Sequence, residues 1–153
     1  MRTSTTYLRA LLCLAALFSI SERLPAQQPS VAGVWKGEWS SPQGYLYGAT
    51  VHLSVVSGDS VEGSIAWSLK RSPRPADQAK IGLRGVEYVR GRYSANCGVL
   101  RVAGYRLDDP SEILGMDRYA LLLAETGMSL GGITWDHGTW AGQFMLARSA
   151  SPD

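Results

Sequence analysis

From Val34 onward, apolar and polar residues alternate with a period of two in one segment after another. This period is typical of β-strands that bury one face and expose the other. The third segment shows it best, because Val61, Ile65 and Trp67 share one phase while charged and small polar residues take the other. The pattern predicts eight strands: Val34–Ser40, Tyr45–Val56, Val61–Lys70, Gly85–Tyr93, Val99–Leu107, Arg118–Ala124, Met128–Trp135 and Thr139–Ala147.

Short turn sequences rich in Gly, Ser and Asp separate most of these strands, which favours antiparallel hairpins between neighbours. Glycines also recur inside the strands, where they mark bulges and bends. A small, strongly coiled sheet needs such bends to close on itself. We therefore expect an all-β fold, a single antiparallel eight-stranded up-and-down barrel over residues 33–148.

Large aromatic residues fall on the faces of the strands that we expect to point inward. An eight-stranded barrel has room for packed side chains or for one small ligand, so these rings favour a filled core or a narrow aromatic cup. Trp135 lies in the opposite phase, which predicts an exposed ring available to a partner or a sugar. The inward positions are Trp35, Trp39, Trp67, Tyr88, Tyr119, Trp140 and Phe144.

The first predicted strand opens with Gly33-Val34-Trp35, and Arg148 directly follows the last. With eight antiparallel strands and short turns, this pattern resembles the calycins, the grouping of lipocalins, avidins and fatty-acid-binding proteins. The resemblance implies that Gly33, Trp35 and Arg148 close one end of the barrel, with the guanidinium over the indole face, a favourable cation–π geometry. The other lipocalin motifs and disulfides are missing, so the resemblance implies a ligand cup without naming a ligand.

Residues 1–26 have the pattern of a cleaved export signal. Arg2 and Arg9 supply positive charge, the run from Ala10 to Ile20 is apolar apart from Ser19, and Ala26 offers a small residue for cleavage. The run is shorter than the roughly twenty residues that span a membrane. We expect a secreted or periplasmic protein without a membrane anchor, a flexible mature N-terminus at 27–32 and a disordered tail at 149–153.

Cleavage would change the charge and the cysteine content. The chain has 15 basic and 13 acidic residues, and loss of residues 1–26 leaves twelve of each. This balance gives no electrostatic reason to expect binding to nucleic acid or to an anionic membrane. Only Cys97 remains, in an Asn-Cys-Gly turn, where a partly buried, inert thiol is favoured over pairing between chains.

Catalytic and metal-binding patterns are weak. Neither histidine has a metal-ligand spacing, no Gly-x-Ser-x-Gly or phosphate loop exists, and His137 lies in an Asp-His-Gly turn that favours a solvated role. The acidic segment Asp108–Asp117 does not have the spacing of a calcium loop, which favours a structural or solvated loop over a metal site. We expect no enzyme activity, no metal and no cofactor.

The leading hypothesis is an exported, non-catalytic barrel that binds a small apolar or aromatic ligand in the cup or at its mouth. Trp39, Trp67, Tyr88 and Trp140 supply the contact area, and Arg90 either fixes a polar group of the ligand or lies near the open end of the barrel. The alternative is a protein-binding module, such as an inhibitor of a secreted hydrolase. It would act through residues 27–32 or through two long links, Arg71–Arg84 and Asp108–Asp117.

Overall fold

The computed structural model of the protein describes residues 29–136, 138 and 140–150. A short 3₁₀ helix at Pro75–Lys80 lies between the third and fourth strands. The number of strands agrees with the prediction, and the boundaries differ by at most two residues. The strands are β1 (Gly33–Ser40), β2 (Leu46–Ser57), β3 (Ser60–Arg71), β4 (Arg84–Ser94), β5 (Val99–Asp108), β6 (Arg118–Leu123), β7 (Ser129–Trp135) and β8 (Ala141–Arg148).

Each strand pairs with the next in an antiparallel ladder, and β1 also pairs with β8. The closing ladder runs from Trp35 opposite Arg148 to Ser40 opposite Gln143. The predicted all-β, eight-stranded, antiparallel up-and-down barrel is therefore confirmed. Closure leaves neither β1 nor β8 as an unpaired edge, which protects the sheet from pairing with other chains.

The barrel interior is built from the buried phase of each strand. In β3 the inward side chains include Val61, Ile65 and Trp67, as the alternation predicts. In β8 the inward Phe144 is fully buried and stacks on Trp67, with ring centroids 5.1 Å apart.

β4 is the strand whose phase was predicted wrongly. Glu87 and Val89 are buried, whereas Tyr88 is only partly buried and Arg90 is exposed. Both phases of this strand contain apolar residues, so alternation alone does not choose between them. The inward carboxyl of Glu87 is tolerated because Trp67 on β3, Tyr119 on β6 and the backbone of Asp117 donate hydrogen bonds to it. Arg90 and Arg92 lie in the opposite, exposed phase.

One end of the barrel, here named the closed end, is sealed around Trp35 and Arg148. The Arg148 guanidinium lies 4.1 Å from the centroid of the fully buried Trp35 ring. Its nitrogens donate to the carbonyls of Gly127 at 2.7 Å, of Ala32 at 2.8 Å and of Ser30. The close approach of Arg148 Nη1 and a φ of 130° explain why residue 33 is glycine.

The segment before β1 packs against this closed end. Val31 is fully buried, its carbonyl accepts a 2.9 Å hydrogen bond from Trp35 Nε1, and the Pro29 carbonyl accepts one from Tyr93. Residues 29–32 are therefore anchored, in contrast to the predicted flexible N-terminus. The predicted export signal at 1–26, residues 27–28 and the end of the tail at 151–153 lie outside the described residues.

The opposite end, here named the cup end, carries the two long links. The Pro75–Lys80 helix and the loop at 109–117 meet there, since Lys80 Nζ donates to the Glu112 carbonyl at 3.0 Å. Tyr47 on β2 donates to the Ile113 carbonyl at 2.7 Å and holds this loop against the barrel.

The part of the chain that the structure describes contains no apolar helix of membrane-spanning length.

Candidate ligand-binding cup

A cavity of about 290 Å³ opens at the cup end. Its walls come from β1, β2, β3, β4 and β6 and from the links that surround the mouth. Aromatic rings make up much of the lining: Trp39, Tyr45, Tyr47, Trp67, Tyr119 and Trp140. Ligand sites in proteins are typically concave, mostly apolar and about 300–1,000 Å³ in volume, so this cup suits a ligand at the small end of that range.

The rings of the wall hold one another in place. Tyr47 makes edge contacts with Trp39 and with Trp67, with centroids 5.7 and 6.0 Å apart. Near the mouth, Tyr45 contacts Trp140 at 4.9 Å. T-shaped pairs at these distances are favourable beyond the area that they bury. The cup is therefore shaped before any ligand enters it.

Glu87 lies at the floor of the cup and is only 1% exposed. The Tyr119 hydroxyl and Trp67 Nε1 donate to Glu87 Oε2, the latter at 3.4 Å, and the Asp117 backbone N–H donates to Oε1 at 3.0 Å. A side chain at Gly104 would overlap Glu87 Oε1, so this glycine makes room for the carboxyl. Burial raises the pKa of Glu87 to about 7, although its hydrogen bonds act in the opposite direction.

Asp117 places a second carboxyl beside the first. Its Oδ2 accepts a hydrogen bond from Thr134 at 3.4 Å, and Thr134 in turn accepts one from Trp39 Nε1 at 2.7 Å. Burial, together with the nearby charge of Asp136, raises the pKa of Asp117 to about 6. A chain of hydrogen bonds thus links the indole wall of the cup to its acidic floor.

Charged side chains surround the mouth. Arg74 is exposed and lies 5.8 Å from the centroid of the Trp140 ring. Asp77 accepts hydrogen bonds from Ser72 at 2.7 Å and from Tyr45 at 3.5 Å. Asp136 accepts bonds from two backbone N–H groups of its own turn, at Gly138 and Trp140. The mouth is therefore polar, while the wall below it is aromatic.

The structure brings three of the five predicted ligand-binding residues together. Trp39, Trp67 and Trp140 all line the cup. Tyr88 and Arg90 do not, because β4 has the opposite phase and both side chains lie on the outer face. There the Arg106 guanidinium lies 3.6 Å from the Tyr88 centroid, and that of Arg90 lies 4.9 Å from the centroid of Tyr105.

Glu87 and Asp117 are acidic cup residues that the sequence did not assign to the ligand site, although Asp117 belongs to the acidic segment that was weighed as a calcium loop. A single acid in an otherwise apolar phase with Gly85, Val89 and Tyr93 is a signal that could have drawn attention to Glu87. Asp117 comes directly before β6, and its direction depends on how the 109–117 loop folds. That loop is shaped by Asp109, whose Oδ2 accepts two backbone hydrogen bonds of 2.7 Å.

The sequence analysis also made predictions about a metal site and about the burial of Cys97. Within the described part of the chain, no group of three or more His, Cys, Asp or Glu side chains is placed to hold a metal ion; His137 lies outside that part. Cys97 is exposed, so the expected partial burial is wrong. The turn that contains it, between β4 and β5, lies at the closed end, and a hydrogen bond with Ser94 lowers the pKa of the Cys97 thiol.

The arrangement at the closed end is the one that the calycin resemblance implied, since Arg148 covers the Trp35 ring. The motif that carries the resemblance, Gly33, Trp35 and Arg148, concerns only the closed end and implies no particular residues at the cup end. Comparisons of the chain with protein-family models, with curated proteins and with solved structures find no match.

Proposed function

We propose that the protein is an exported, calycin-like barrel that binds a small apolar or aromatic ligand non-covalently and catalyses no reaction. The observation that carries the proposal is the contrast in filling along the barrel axis. The closed end is packed around Trp35, whereas the cup end keeps a cavity of about 290 Å³ walled by aromatic rings. A cavity of this size and lining fits a compact ligand of one or two rings better than a long lipid chain.

Preorganisation supports binding in the cup. Trp39, Tyr47 and Trp67 are fixed by their mutual ring contacts and by hydrogen bonds from all three side chains. A ligand that stacks against them therefore does not have to order them, and this lowers the entropic cost of association.

A titration of the purified protein with toluene and with phenethyl alcohol tests this proposal, with tryptophan fluorescence and calorimetry as readouts. Gly115 lines the cup, and a Cβ at this position meets no atom within 4 Å. Gly115→Phe should therefore add a ring at the lining of the cup without a clash with the barrel, and we expect it to weaken binding at least about tenfold.

Ala66→Phe is the matched control, because Ala66 is exposed in the outward phase of β3. It should bind both compounds as the wild type does. Failure of every compound to bind the wild type, or equal binding by Gly115→Phe and the wild type, would contradict a ligand site in the cup.

The second candidate is a protein-binding module or hydrolase inhibitor, and the outer face of β6–β8 favours it. Leu122, Ile133 and Met145 are each more than half exposed on these paired strands, and Trp135 is 36% exposed beside them. Exposed apolar patches of this kind often mark protein contacts. If this face inhibits a secreted hydrolase, the wild type should lower hydrolase activity in culture fluid, and Ile133→Glu with Met145→Glu should not.

A further inference from the structure

Charge in the cup is strongly unbalanced. Five acidic and two basic side chains line it, and the two basic ones, Arg74 and Lys80, belong to the link at the mouth. Resting on the proposed function, we propose that the ligand of this cup is a small organic cation, an amine or amidinium attached to an apolar or aromatic body. Its charged nitrogen would lie towards the Glu87 and Asp117 floor.

The carboxyls of the floor have neutral hydrogen-bond donors around them. Glu87 is bound by a phenol, an indole and a backbone amide, and Asp117 by the Thr134 hydroxyl. None of these donors carries a positive charge. A buried carboxylate is costly without a compensating cation, and a cationic ligand would supply that compensation. An anionic ligand would meet repulsion from both groups.

The walls point to the same chemistry. Indole and phenol rings present a negative face, which attracts a cation within about 6 Å of the ring centroid. Trp39, Tyr47 and Trp67 line the same cavity as Glu87 and Asp117. An ammonium group in that space would therefore gain from the rings and from the carboxylates together.

Tyr47 reports the negative field inside the cup. Burial raises the pKa of Tyr47 to about 12, and the neighbouring Tyr45 and the acids Asp77, Asp109 and Asp117 act in the same direction. Asp109 stands behind the wall, and its Oδ1 is buried without a hydrogen-bond partner among the described residues. Since the field that disfavours a phenolate favours a cation, this supports the proposed ligand charge.

The basic residues of the mouth are already engaged. Lys80 donates to the Glu112 carbonyl, and Arg74 lies over the Trp140 ring. Both belong to the link between β3 and β4, and neither is among the groups that bind the Glu87 carboxyl. They do not neutralise the carboxyls of the floor. A ligand therefore meets side chains of both charges at the mouth and acidic side chains at the floor.

Three compounds of the same size and different charge provide the test: phenethylamine, phenethyl alcohol and phenylacetate. Calorimetry at about pH 8 keeps the amine charged and the two carboxyls largely ionised. We expect phenethylamine to bind at least about tenfold more tightly than either of the other two. Equal or tighter binding of the alcohol or of phenylacetate would overturn the cation proposal and leave the cup as a ligand site; failure of all three would overturn both.

Asp117→Asn locates the effect, because it removes a charge while its amide oxygen can still accept the bond from Thr134. We expect it to abolish most of the preference for the amine without changing the affinity for phenethyl alcohol. Glu87→Gln should act in the same direction, and thermal unfolding of each variant shows that it is folded. Asp59→Asn, which changes an exposed acid paired with Arg92 at 3.4 Å, should keep the full preference. Retention of the preference in both floor variants would overturn the assignment.

Discussion

At the closed end the Trp35 ring is fully buried beneath Arg148, whereas at the cup end the Trp140 ring is half-buried beside open space. Each tryptophan has a nearby guanidinium, 4.1 Å away at Trp35 and 5.8 Å away at Trp140. Only the Arg148 guanidinium also donates to three backbone carbonyls. The same pair of residue types therefore seals one end of the barrel and leaves an open aromatic surface at the other.

The polar groups of the two ends differ in the same way. Arg148 turns its charge towards three backbone carbonyls at the barrel rim, so the cation and the acceptors stabilise each other. The carboxyls of Glu87 and Asp117 instead lie in a cavity where their hydrogen-bond donors are neutral groups. A site that is prepared for a ligand commonly carries such a cost, which binding then relieves.

Truncation of the two rings should separate these roles most strongly. We expect Trp35→Ala to destabilise the protein by about 3–5 kcal/mol, because it removes a fully buried ring and leaves a cavity. Trp140→Ala should cost only about 1–2 kcal/mol, because its ring is half-buried. Denaturant unfolding of both variants measures the difference, and equal losses would show that the ends are not distinct in packing.

The pH dependence of stability should report the acidic floor. The pKa of Glu87 is about 7 in the folded protein against an ordinary value of 4.5, so the folded state holds this proton more tightly than the unfolded chain. Protonated Glu87 therefore makes its whole contribution to the free energy of unfolding below the ordinary pKa of 4.5. This contribution is lost as the pH rises from 4.5 to about 7. The loss is about 3 kcal/mol for a difference of this size.

Glu87→Gln should remove that part of the pH dependence. Its stability relative to the wild type should rise between about pH 5 and 7 and then level off. The pKa of Asp117 is raised from 3.8 to about 6, so its protonation also adds stability that is lost as the pH rises. This loss is smaller than that of Glu87, and the Glu87→Gln variant keeps it. Urea unfolding across this range measures both slopes, and a constant difference between the two proteins would mean that Glu87 is not held protonated.

The smallest effect should come from Cys97. It is exposed in the turn between β4 and β5 at the closed end, and its pKa is lowered by the hydrogen bond with Ser94. We expect a thiol reagent to modify it in the native protein, with no change in the binding of phenethylamine. A modification that alters binding would show that the closed end takes part in recognition.

The sequence predicted the fold better than the site, for reasons that individual strands make clear. In β3 one phase is apolar and the other polar, so alternation determines which face is buried. In β4 both phases carry apolar side chains, and the choice depends on donors from other strands, Tyr119 and Trp67, that bind Glu87. A bulge between Tyr88 and Val89 further disturbs the register with β5.

The cup was only partly predictable for a related reason. Trp39 and Trp67 follow from the phase of their strands, because a ring on the buried face must lie inside a barrel. Asp117 belongs to a loop without periodicity, and its inward position depends on bonds of the folded loop, such as the 2.8 Å bond from the Gly104 N–H to its carbonyl. Non-local contacts of this kind leave no pattern along the chain.

The indole N–H resonances of the tryptophans provide the most direct test of the contrast between the two ends. Trp39, Trp67 and Trp140 line the cup, Trp35 seals the closed end, and Trp135 lies on the outer face. During a titration with phenethylamine followed by NMR, we expect the three cup resonances to shift along one saturating curve while those of Trp35 and Trp135 stay in place. Shifts at Trp35 or Trp135 with unchanged cup resonances would contradict the assignment of the ligand site to the cup.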